Sequence, residues 1–193
     1  MTDQVESFMS TIPQGTSGNT PFAERYAREI RGVVTRHASM APRSLQVHLG
    51  PSEIGAQCHR QIVWKLLGTG LAPRTNHVSD PWPSIVGTAC HAWAADAFEA
   101  ENLRTGVLRW VAEQRVTPHP DHPGTGDLYD AAEQTVGDHK ILGPTSMAKV
   151  QSAAGPPRHY VVQLLLYGRG FRLLGLPVVR VALLAWPRTA STM

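Results

Sequence analysis

The chain has 193 residues, enough for one domain with its own core, and 42% hydrophobic against 17% charged content is ordinary for a globular protein. It has no run of about eighteen apolar residues, so no membrane span is expected, and its opening Met1-Thr-Asp-Gln-Val-Glu-Ser lacks the basic and apolar regions of a secretory signal. The net charge of +3 hides an asymmetry: every acid lies at or before Asp138, so the stretch from His139 onward carries +7 and the rest −4.

Residues 1–20 are polar and rich in Ser, Thr and Gly, and a disordered tail is expected there. From Pro21 to about His37, Phe22, Tyr26, Ile30 and Val33/Val34 recur at helical spacing with charges between them, which predicts an amphipathic helix. Residues 38–50 read as a connector broken by Pro42 and Gly50. Ser52 is the expected N-cap of a second helix reaching about Leu67, with Ile54, Cys58, Ile62 and Leu66 on one face and Gly68 and Gly70 ending it. Residues 69–83 read as a proline-rich loop, and an alanine-rich third helix runs from about Ser84 to Arg104 with His91 inside it.

The period then changes. Val107 to Val116 alternates like a strand, and Thr117 to Gly124 is a loop. Thr125–Asp130 and Gln134–Leu142 are two further strands joined by a tight turn near 131–133. After a loop of Gly, Pro and Ser residues, His159 to Leu174 reads as a helix with Val162, Leu165, Leu166 and Phe171 available for burial. Pro177 to Trp186 reads as a last strand. Helix, three strands, helix, strand predicts an α/β (α+β) fold with a central mixed sheet flanked by helices, within one domain over residues 21–193.

The hairpin carries the chemistry. Gly126-Asp127 and Asp138-His139-Lys140 place two carboxylates and a lysine at short spacing, in a chain with only three lysines against fifteen arginines. Two carboxylates suit a divalent cation, and a neighbouring lysine can steady an attacking water or the charge that develops on phosphate. The plainer alternative is a hairpin with solvated charges. The basic C-terminal stretch would draw a polyanion towards such a site, unless its arginines are spread around the domain among acids close in space.

These residues, in this order, resemble the PD-(D/E)xK nuclease superfamily in its RecB-like branch. Gly87-Thr-Ala-Cys-His91 looks like the helix motif of that branch, Gly126-Asp127 and Asp138-His139-Lys140 like its second and third motifs, and Gln163-Leu-Leu-Leu-Tyr167 like its QxxxY motif. The likeness covers roughly residues 48–186. It implies a restriction-endonuclease-like core and a metal-dependent DNA exonuclease acting at ends or on single strands, serving replication or recombination in a phage or bacterial cytoplasm. It also implies Mg²⁺ or Mn²⁺ held by Asp127, Asp138, His91 and the backbone carbonyl of His139. Lys140 would act on the water, and Gln163 and Tyr167 would orient Lys140, the metal shell or a phosphate. Each residue has a plainer reading: a helix histidine among alanines, an Asp–Lys ion pair, a buried tyrosine beside a surface amide. Glu113 is a lesser candidate, and the HxxH of His119 and His122 reads as a solvated loop. The remaining alternatives are a DNA-binding module without turnover and a structure-specific endonuclease on the same core.

A narrower resemblance, over His48-Leu-Gly-Pro-Ser-Glu-Ile-Gly-Ala-Gln-Cys58-His-Arg60, is to the CRISPR-associated RecB-like exonucleases, including relatives in actinobacterial phages. Those carry a four-cysteine iron–sulfur cluster. Here no cysteine follows Cys90, so no complete cluster is expected, and Cys58 is expected to be a buried apolar residue of its helix. The chain also ends soon after the last strand, where such relatives continue, which reads as a short or truncated form.

Overall fold

A computed structural model describes residues 21–40, 49–56, 58–67 and 80–189. The expected tail at 1–20 and most of the two connectors lie outside them. The chain divides into two units, Met1–His37 and Ala38–Met193, a boundary inside the stretch read as one domain. The first unit holds most of helix α1 (Phe22–Met40), whose Phe22, Tyr26, Ile30 and Val33 form an exposed apolar stripe.

In the second unit, the expected helix from Ser52 to Leu67 is two pieces, α2 (Pro51–Ile54) and α3 (His59–Leu67). The cap of α2 is Gly50, not Ser52: Pro51 sits at the first helical position, and the Gly50 N–H donates to the Glu53 carboxylate at 3.2 Å. Gly55 breaks the run because the later helix that begins at Arg158 lies against it; a Cβ there would fall 2.6 Å from the Cα of His159. The break removes the shared face, and Cys58 is exposed, contrary to the expected burial.

Helix α4 (Trp82–Thr105) leads into strands β1 (Trp110–Val116), β2 (Gly124–Asp130) and β3 (Thr135–Leu142). Asn102 fixes that joint, its side chain accepting from the N–H groups of Arg109 and Trp110 and donating to the Trp110 carbonyl. After β3 comes α5 (Pro144–Gln151), where a loop was expected; Pro144 opens it at N1, where a missing N–H costs nothing. Helix α6 (Arg158–Leu173) then crosses to β4 (Arg180–Pro187).

The sheet order is β1-β2-β3-β4, with antiparallel β1–β2 and β2–β3 pairs and a parallel β3–β4 pair. A mixed α+β fold with a four-stranded mixed sheet is therefore present. Alternate β3 residues face opposite layers. Asp138 and Lys140 meet α6 through Gln163 and Tyr160, whereas His139 meets α4 through His91 and Phe98. The face of α6 that is buried carries Gln163, Leu164, Tyr167 and Phe171; Leu165, expected inside, is 58% exposed. Val116, Tyr129, Val136, Tyr167 and Phe171 form the core on that side, with Val111 packed against it.

One irregularity in β1 and β2 positions the site. Val111 and Val116 both pack into this core, although strict alternation would send residues five apart to opposite faces. The phase shifts at Glu113, whose φ is +48°, and the ladder pairs Ala112 with Leu128 and Gln114 with Gly126 but leaves Glu113 and Asp127 unpaired between them. Both strands change phase together, so the register survives. Gly126 now turns towards the core, where a Cβ would fall 2.5 Å from the Phe171 ring.

Candidate metal centre

The phase shift aims Glu113 and Asp127 at His91 on α4. His91 Nδ1 lies 3.6 Å from Glu113 Oε1 and 3.5 Å from Asp127 Oδ1, and one ligand atom from each of the three residues falls within 4.8 Å of the others. His91 Nε2 is 3.1 Å from the His139 carbonyl. When Nε2–H donates there, the other ring nitrogen faces the two carboxylates. Those carboxylates, Asp127 first and then Glu113, outweigh burial and raise the His91 pKa to about 10. The cluster combines an imidazole nitrogen, which suits Mn²⁺ better than Mg²⁺, with carboxylate oxygens that suit either ion.

Beyond Leu128↔Gly137 the β2–β3 ladder stops. A side chain closes the gap beside His139, whose N–H donates to Asp127 Oδ2 at 2.7 Å. The Asp127 carboxylate thus takes the place of a strand partner, and this bond helps hold its other oxygen towards His91.

The second half of the site lies on the α6 side of β3. Asp138 is fully buried; its Oδ1 accepts from Gln163 Nε2 at 2.9 Å, and its Oδ2 lies 2.6 Å from Lys140 Nζ. Oδ2 thus relies on the Lys140 ammonium, with no other partner among the described residues. Burial, reinforced by the Asp127 charge and opposed by Lys140, raises the Asp138 pKa to about 6. Gln163 Nε2 also reaches the Tyr167 hydroxyl at 3.3 Å, one helical turn on. His139 joins the halves through its backbone, and its ring is held by the Trp186 indole N–H, which donates to Nδ1 at 2.8 Å. Burial lowers the His139 pKa.

No known protein family, curated protein or solved structure matches this chain.

Of the residues singled out in the sequence, His91 and Asp127 stand in the three-residue cluster, while Asp138, Lys140, Gln163 and Tyr167 form the adjoining network. Asp138 is not among the clustered ligand atoms, and the His139 carbonyl is engaged by His91. Glu113, the lesser candidate, belongs to the cluster; its positive φ has no signature in the sequence. Tyr160 was missed, and its ring lies 5.6 Å from Lys140 Nζ. His119 and His122 stay apart from the centre, with His122 Nδ1 3.0 Å from the Leu49 carbonyl. Among the described residues, no helix is long and apolar enough to cross a membrane.

Proposed function

We propose that the chain is a divalent-metal-dependent nuclease that hydrolyses DNA phosphodiester bonds, working as an exonuclease at ends or on single strands. The observation that carries this reading is the pairing of the buried Asp138 with the partly exposed Lys140 beside the His91–Glu113–Asp127 cluster. Asp138 Oδ2 rests on the Lys140 ammonium, and the adjoining nitrogen and oxygen donors of His91, Glu113 and Asp127 fit Mg²⁺ or Mn²⁺. His91, Glu113 and Asp127 would hold the ion, with Asp138 at its border. A bound cation supplies Lewis acidity and lowers the pKa of water.

The chain's own residues account for the rest. Lys140 is an ammonium at the edge of a buried site, placed to stabilise charge on a phosphate or orient a water. Asp138 holds that ammonium in place. Gln163 fixes the Asp138 carboxylate from α6, and the Tyr167 hydroxyl in turn fixes the Gln163 amide.

The test is Mn²⁺-dependent degradation of end-labelled linear single-stranded DNA by the parent and by Lys140→Ala. Cleavage by the parent alone supports the reading. A parent that binds DNA but leaves it intact with both Mn²⁺ and Mg²⁺ is a binding module instead. Cutting of circular single-stranded DNA would identify an endonuclease.

A further inference from the structure

Tyr160 also lines a cavity of about 330 Å³ at the ends of β3 and β4, together with Gly143, Thr145, Ser146 and Arg188. No acid lines it. The Arg188 side chain lies across Gly143, where a Cβ would fall 2.8 Å from its Nη2, and the Arg188 N–H donates to the Leu142 carbonyl at 2.8 Å. Arg104, Arg109 and Arg180 are each paired with a carboxylate, whereas the Arg188 guanidinium has no carboxylate partner among the described residues. Leu142 is two residues beyond Lys140 on the same strand face, about 7 Å along it.

We propose that this cavity is a second phosphate-binding subsite, seating the phosphodiester of a nucleic-acid strand next to the one at the Asp138–Lys140 pair. A guanidinium forks onto phosphate oxygens, and the hydroxyls of Thr145, Ser146 and Tyr160 add neutral donors. The inference rests on the nuclease reading for its substrate class, but its test does not rely on turnover.

Binding of fluorescently labelled ten-residue oligothymidylate is measured by anisotropy in EDTA over a range of NaCl concentrations. Arg188→Ala is expected to weaken binding about tenfold at low salt and to lower the slope of log K against log salt by about one. Arg188→Lys keeps the slope, and Arg104→Ala matches the parent. The proposal is overturned if Arg188→Ala binds like the parent, or if polyglutamate or inorganic phosphate displaces the oligonucleotide as well as unlabelled oligonucleotide does. Mn²⁺-dependent cleavage is scored separately. A parent that cleaves while Arg188→Ala binds normally overturns only the subsite; a parent that does not cleave while the Arg188 effect holds overturns only the nuclease reading.

Discussion

Lys140 Nζ lies 2.6 Å from Oδ2 of the fully buried Asp138, so one of the chain's three lysines is the counter-charge of the most buried carboxylate among the described residues. Removing it leaves a charge in the interior. The Asp138 pKa, already raised to about 6 against Lys140's opposing pull, rises further in Lys140→Ala. A carboxylate whose folded pKa exceeds its unfolded value loses stability as pH climbs from the unfolded value through the folded one. Lys140→Ala is therefore expected to cost about 3 kcal/mol at pH 7.5 and much less near pH 4. Urea midpoints for parent and variant at the two pH values check this; an equal loss at both would rule out the linkage.

Glu113 has a positive φ that a non-glycine residue adopts at a cost on the order of 1 kcal/mol. Glu113→Gly is expected to recover part of that strain and raise the thermal midpoint while weakening Mn²⁺ binding. Glu113→Gln keeps the strain and is expected to lower Mn²⁺ affinity about 10- to 100-fold. Calorimetric titration with Mn²⁺ and thermal melts separate the two effects. Unchanged Mn²⁺ affinity in both variants would remove Glu113 from the centre.

Most of the fold was legible because its signals are local. The short strand-forming runs of β2 and β3 with the tight turn between them, and the long alanine-rich helix, each stand out within their own segment. What was not legible depended on tertiary structure. Around Gln163 the run from Val161 to Leu166 is otherwise apolar, so its phase could not be read, and packing on the sheet chose Leu164 over Leu165. Pro144 could have announced α5, since proline favours the first helical position, but the Gly, Pro and Ser residues around it read as a loop. The change of phase at Glu113 keeps the register intact and so leaves no trace in the spacing of residues.

His91 carries a pKa raised to about 10 because two carboxylates face its ring. A raised histidine pKa contributes stability in full below its ordinary value of 6.5, and that contribution is lost as pH rises through about 10. A cation at Nδ1 must displace the proton, so Mn²⁺ affinity is expected to rise by roughly tenfold per pH unit between pH 6.5 and 8, with close to one proton released. Titrations in buffers of different ionisation enthalpy count that proton. A flat affinity with no proton release would mean that His91 does not ligate.

Gln163 places α6 over Asp138. When α6 lifts away, the carboxylate returns to water and its pKa falls back towards 3.8, so uptake of a proton favours the closed state. A proton on Asp138 is therefore expected to stabilise the packing of α6 on the sheet. The amide hydrogens of α6 are expected to exchange through an opening that costs about 1 kcal/mol more at pH 5 than at pH 7.5, after correction for intrinsic rates. The carboxylate that Gln163 holds from α6 thus ties the stability of that helix to pH.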